Sequence, residues 1–379
     1  MTPKKPKPPK KPKKPSMLRL EPRAQPSAWL SIASPVLALL ITVIIGVGLF
    51  VLLGKDPVRG LQVFFIEPVK SLYALSELSI KAVPLMLIAL GLAVCFRANV
   101  WNIGAEGQFV VGALAAGWVA MQAGPQSPWL ASLGSGIVVL ILLAGVLGGM
   151  AWAAIVALLR DRFNANEILV SLMLVYVAEM LLSYLVYGPW KDPKGYNFPQ
   201  TITFLPDTKV PRLVSGLRAN IGIFIALVSV VAFWAFMFRF YRGFQLQVGG
   251  LASAAARYAG FSSRAAVWTA LLLSGAMAGL AGALEAAGPL GQLTPHVPVG
   301  YGFAAIIVAF VGRLHPVGII FSALLMSMFY IGGELAQSRL GLPKSLTGVF
   351  QGLLLFTLLA CDTLIHYRVR WARSASTGV

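Results

Sequence analysis

Acidic residues are scarce in this chain. Its 379 residues include 13 Asp and Glu and 3 His, and charged residues of both signs make up only 12% of it. A soluble domain carries about 25%. Hydrophobic residues reach 58% and the mean hydropathy is +0.78. A chain this apolar cannot hide its surface in one water-soluble core and needs lipid as solvent. Cysteine is nearly absent too. Cys95 and Cys361 both lie in apolar runs, which excludes a disulfide framework and makes packing their expected role. His296, His315 and His366 are scattered, with no carboxylate or cysteine at ligand spacing. No G-x-x-x-x-G-K-[ST] stretch occurs, so the chain is not itself an ATPase. No catalytic constellation emerges, and an enzyme is not expected.

What the chain has in quantity is long apolar runs. They read as about ten helices, over 30–54, 78–96, 106–122, 130–159, 168–188, 220–238, 266–287, 302–314, 317–335 and 346–366. The expected fold is therefore an all-α integral membrane protein, a polytopic bundle of about ten transmembrane helices with one or two broken or short. The run 302–314 is the short one. The mixed 55–77 segment suits the membrane interface. Gly275, Gly279 and Ala283 recur at four-residue spacing, as do Gly145 and Gly149, and such stripes let helices approach closely in lipid.

The formal charge of +18 has a local origin. Seven lysines alternate with prolines in the first fifteen residues. Nothing there can bury surface, so 1–27 reads as a disordered basic tail ahead of a membrane domain over 28–379. The tail is expected to fix topology, or to touch anionic lipid headgroups, and not to bind nucleic acid. Its long basic stretch and the spanning run after it do not read as a cleaved signal peptide. Basic residues before the first span and after the last place both termini in the cytoplasm, with the 239–265 loop on the same side. The loop from Pro189 to Ala219, polar and proline-rich, falls outside.

Polar residues inside an apolar chain carry the functional argument, because each is costly in hydrocarbon. Asn99, Asn102, Glu106 and Gln108, with Gly104 and Gly107, form the densest set and fit a broken helix. Broken segments are tolerated where they face protein or a water-filled cavity, and transporter sites are often built that way. Alternatively, Asn102 and Glu106 cap and anchor a re-entrant turn; the two roles are compatible. Tyr176, Glu179, Ser183 and Tyr187 share one helix face. That face either lines a pathway or forms an interhelical hydrogen-bond patch. Glu285 and Glu334 are lone carboxylates expected near the interface.

Four segments resemble the permease subunits of bacterial ATP-binding-cassette importers, in the branch of branched-chain amino acid, ribose and nucleoside systems. They are Phe96-Arg97-Ala98-Asn99-Val100-Trp101-Asn102-Ile103-Gly104-Ala105-Glu106-Gly107-Gln108, then Tyr187-Gly188-Pro189-Trp190-Lys191-Asp192-Pro193. Next come Ala255-Ala256-Arg257-Tyr258-Ala259-Gly260 with Leu273 to Gly282, and Gly300-Tyr301-Gly302-Phe303 with Gly312-Arg313-Leu314-His315-Pro316. The likeness runs from about Ser71 to Asp362, without the Lys/Pro tail, and is nearest the nucleoside and simple-sugar permeases.

The resemblance implies a transport subunit in the bacterial cytoplasmic membrane with nucleosides as its solute, or simple sugars as the alternative. An ion-coupled secondary transporter is the rival reading. Few central carboxylates are arranged as a proton relay, and the second half has no polar segment equal to 99–108. The implied partners are a cytoplasmic ATPase, a second related permease in a heterodimer, and an extracytoplasmic binding protein. ATP and magnesium would belong to the ATPase, with no cofactor in this chain. Asn99, Asn102, Glu106, Gln108, Tyr176 and Glu179 would line the substrate pathway. Ala255, Ala256, Arg257 and Gly260 would contact the ATPase. Where the family often has a glutamate, this chain has Ala254.

Overall fold

Each of the ten apolar runs is a helix in the computed structural model, which describes residues 18–22, 28–123, 127 and 133–371. In chain order the elements are β1 (Leu18–Pro22), α1 (Ala28–Leu52), α2 (Pro57–Leu61), α3 (Leu72–Arg97), α4 (Ala105–Gln122), α5 (Ile137–Phe163) and α6 (Glu167–Tyr187). They continue with α7 (Gly222–Phe238), α8 (Tyr241–Leu251), α9 (Ser253–Tyr258), α10 (Ser263–Glu285), α11 (Tyr301–Val311), α12 (Pro316–Leu340), α13 (Ser345–His366) and β2 (Tyr367–Trp371). Side-chain caps account for several starts. Ser71 Oγ accepts from the Ala74 nitrogen at 3.1 Å, Asn166 Oδ1 from Ile168 at 2.9 Å, and Ser262 Oγ from Ala265 at 3.2 Å.

The expected ten spans are not reached. Among the described residues seven helices are long and apolar enough to cross a membrane, and the pair α7–α8, bent by 68°, would make an eighth. The shortfall lies in α4, whose apolar run is diluted by Glu106 and Gln108, and in α11. Eleven residues of α11 reach about 16 Å, half of a hydrocarbon core of roughly 30 Å.

The chain forms two compact units, one of residues up to Ile45 with those from Leu353, the other Gly46–Gly352. In the first, Thr42 and Thr357 hydroxyls meet at 3.0 Å and Ser34 Oγ donates to Asp362 at 2.6 Å. There β1 pairs antiparallel with β2, Leu18 opposite Trp371. This small sheet was not expected, and β1 lies within the stretch read as a disordered tail. The Lys/Pro run itself lies outside the described residues.

The second unit centres on α3, buried along most of its length, as a helix apolar all round should be. The two small-residue stripes meet each other. A Cβ on Gly149 would stand 2.2 Å from the Gly275 carbonyl oxygen, and one on Gly279 would stand 2.1 Å from the Gly145 oxygen. Gly112 of α4 faces Gly279 as closely, with a Cβ 2.3 Å from its Cα. Helices α4, α5 and α10 thus pack backbone against backbone. The 55–77 segment is α2 followed by short π and 3₁₀ turns. It buries Val63 and Phe64, and the Phe64 ring lies 4.9 Å from Phe350. Cys95 and Cys361 are free and buried, in keeping with packing roles.

Candidate functional site

The break predicted around 99–108 is present. Helix α3 ends at Arg97, Asn99 turns with a left-handed φ of 54°, and the helix restarts at Ala105. The freed backbone is held from the side. Ile103 donates to Ser171 Oγ at 3.2 Å, and a Cβ on Gly104 would meet the Ser171 carbonyl at 2.6 Å. Asn102 is fully buried and uses all four of its hydrogen-bonding positions. Its amide nitrogen donates to Gln108 Oε1 at 3.0 Å and to Ser274 Oγ at 2.9 Å. Its oxygen accepts from the Gly104 nitrogen at 3.1 Å and from Gln108 Nε2 at 3.2 Å. Asn102 is thus saturated, with two of its four bonds going to Gln108.

Glu106 begins α4 and is 1% exposed. One carboxylate oxygen accepts from the Gly300 nitrogen at 2.8 Å, and the other from the Gly302 nitrogen. Those amides open α11, where helical N–H groups lack intrahelical partners and the dipole favours negative charge. A Cβ on Gly302 would stand 2.2 Å from the Glu106 nitrogen, so glycine is what lets the two helix starts touch. The far end of α11 lies with the end of α3, where Phe96 and Phe310 stack at 5.0 Å. Two helices therefore begin inside the bundle, about 16 Å from that end, joined by one carboxylate.

Beside this junction lies a polar group that sequence reading did not assemble. Tyr301 is fully buried, and among the described residues its hydroxyl has no hydrogen-bond partner. Its ring meets Tyr330 at 5.3 Å and Phe109 at 5.9 Å, and Lys81 Nζ lies 6.0 Å from its centroid. Lys81 pairs with Glu334 at 3.0 Å. Glu285, expected at an interface, is instead 7% exposed. Packing of α10 against α3 and α4 covers it, which its position near a helix end conceals. The signal that could have found the group is Lys81, a cation in the first half of an apolar helix.

Of the other predicted residues, Glu179 stays within electrostatic reach of Glu106, and Asn99 and Tyr176 lie apart. Asn99 is exposed at the opposite end of the break from Glu106. Helix α6 buries Ser171, Val175, Ala178, Leu182 and Val186, so Tyr176, at 57% exposure, and Tyr187 point away from the chain's own core. Glu179 and Ser183 are half-buried between these faces.

At the Asn99 end, α7 turns sharply into α8. Gly243 permits the turn, since a Cβ there would stand 2.0 Å from the Phe236 oxygen. Gln247 Nε2 donates to the Met237 oxygen at 2.6 Å, and Gln247 Oε1 accepts from Arg97 Nη1 at 3.0 Å. Arg97 also donates through Nε to the Leu314 oxygen at 2.9 Å and covers the Phe238 ring at 5.1 Å. One guanidinium thus joins the end of α3, helix α8 and the turn after α11. Of the residues expected at an ATPase contact, Ala255 and Arg257 are exposed on α9, Ala256 is buried beneath it, and Gly260 follows with a φ of 79°. Tyr258 is 97% exposed.

A junction of helix starts with a sealed hydroxyl-bearing group beside it can bind and gate a polar solute. Comparison with known proteins places the whole chain. The profile of the family described as branched-chain amino acid transport system / permease component matches residues 74–359. A glucose ABC transporter permease protein of Haloferax volcanii is 36% identical over 362 residues, 93% of both chains. A guanosine ABC transporter permease protein of Bacillus subtilis is 28% identical, covering 83% of this chain and 89% of its own. A nucleoside ABC transporter permease protein of Lactococcus lactis is 25% identical, covering 85% and 89%. No solved structure matches.

Proposed function

Because the chain belongs to this permease family, and is thus the multi-pass membrane subunit of an ABC importer that works with an ATPase and a substrate-binding protein, we propose that its solute is a neutral molecule bearing a sugar ring. A nucleoside is the first reading and a simple sugar the second. Guanosine and nucleoside relatives support the first, and the glucose relative supports the second.

The observation that carries the proposal is the fully buried Tyr301 hydroxyl beside the Glu106 junction, unpartnered among the described residues. A buried polar group without a partner costs about 1–3 kcal/mol, and a ring hydroxyl would satisfy it. Tyr330 offers a flat face for a base, and Lys81 and Glu285 supply charge-assisted hydrogen bonds. In this reading Glu106, Asn102 and Gln108 hold the frame while Tyr301 meets the solute. The α6 face of Tyr176 and Glu179 is left open for a second, related permease chain that completes the pathway.

Coupling follows from Arg97. The helix pair α8–α9 meets the ATPase through Ala255, Arg257 and the segment to Gly260, in the cytoplasm, where both termini also lie. Its displacement acts through Gln247, Arg97 and the Leu314 oxygen on α11, and so on the Tyr301 group. ATP and magnesium act in the ATPase, and this chain needs no cofactor of its own. Uptake of labelled guanosine and glucose by the complex reconstituted with its ATPase and binding protein tests the reading. Saturable uptake of either, competed by the other class or not, assigns the solute. ATP-independent uptake driven by an ion gradient would refute the importer mechanism.

A further inference from the structure

At the end of the bundle that carries α8 and α9 lies a cavity of about 240 Å³, room for roughly eight waters at ~30 Å³ each. Arg160 of α5, Arg242 of α8 and Arg257 of α9 all line it, and no Asp or Glu does. Arg160 is paired with Glu167 at 2.6 Å, outside the wall. Arg242 bonds the neutral Gln245 at 3.3 Å, and among the described residues neither it nor Arg257 has an ion-pair partner. The nearby Asp161 is engaged by Arg264 at 2.5 Å and by Trp268 Nε1 at 3.2 Å. Two arginines without ion-pair partners, on a wall that carries no carboxylate, leave a positive field that a bound anion would neutralise.

The rest of the wall supplies donors. Ser262 and Ser263 open the 23-residue helix α10 there, and the cap by Ser262 occupies the Ala265 nitrogen. The N–H groups of Ser263 and Arg264 precede the first intrahelical bond, and the helix dipole adds to the arginine field. Ser253 and Thr269 contribute hydroxyls, and Asn99 an amide. A tetrahedral oxyanion, with several acceptor oxygens and more than one charge, uses such a set fully. A neutral sugar or nucleoside does not.

We propose that this cavity binds a phosphate-bearing anion, either a soluble phosphate ester or the headgroup of an anionic phospholipid. The site is separate from the Tyr301 group and shares Arg257 with the proposed ATPase contact, and its failure would leave the solute reading untouched. The test uses the purified full-length chain. Pyrophosphate, titrated against chloride at equal ionic strength, is expected to give a saturable rise in melting temperature. Arg242→Gln and Arg257→Gln, both at exposed side chains, are each expected to weaken it about tenfold, with an unchanged melting temperature in chloride. Native mass spectrometry separates the sources. Phosphatidylglycerol retained over phosphatidylcholine, and lost in both variants, assigns a lipid headgroup; pyrophosphate binding without any lipid preference assigns the soluble anion. No saturable effect of pyrophosphate together with no lipid preference, or binding unchanged in both variants, overturns the proposal. So does a pair of variants that bind anions normally but no longer retain the ATPase, which would make the cavity a protein contact.

Discussion

The carboxylate of Glu106 accepts the backbone N–H groups of Gly300 and Gly302, so the first turn of α4 caps the first turn of α11. Each bond to a charged group contributes about 1.5–3 kcal/mol, and removing the carboxylate strands two buried amides. Glu106→Ala is expected to abolish uptake, and Glu106→Gln, which can still accept one bond, to impair it. Both proteins should insert in the membrane. Uptake by purified complex, alongside membrane yield, checks this. Normal transport by a purified Glu106→Ala complex would show that the cap serves assembly alone.

Tyr301→Phe removes a hydroxyl that has no partner among the described residues. The melting temperature should hold or rise, because no hydrogen bond is lost. The KM for uptake should rise about fivefold, the value of one hydrogen bond near 1 kcal/mol. An unchanged KM would place the solute elsewhere.

Gly279 stands where Gly145, Gly149 and Gly112 converge. Gly279→Val forces helices α5 and α10 apart and should lower stability by at least about 1–3 kcal/mol, the usual range for overpacking. The expected outcome is loss of folded protein in detergent extracts. Gly348→Val, at a glycine with open space around it, is the control expected to be mild.

Gln247→Ala breaks the link from α8 to Arg97 while leaving Arg97 bonded to the Leu314 oxygen. Substrate-stimulated ATP hydrolysis should fall and basal hydrolysis should persist. Equal stimulation in the variant would remove Arg97 from the coupling route.

A cysteine at Ser253, which is exposed on α9, reports orientation. In a background lacking Cys95 and Cys361 it should resist an impermeant thiol reagent in intact cells and react in inverted vesicles. Reaction from outside would reverse the assigned topology.

The sequence by itself determined the class, the positions of ten helices and the break at 99–108. Those depend on local quantities: the length of an apolar run, a cluster of amides and glycines, the spacing of small residues. It could not decide which helices span, because α11 reads as apolar while its length ends it half-way across. Nor could it say that Asn102 is saturated by Gln108, Ser274 and the Gly104 nitrogen, or that Glu106 serves amides 194 and 196 residues away. Tyr301, Lys81 and Glu285 look unrelated along the chain. Only the packing of α3, α10 and α11 brings them together, because a hydrogen-bonding partner is fixed by where a helix starts in space and not by its distance in sequence.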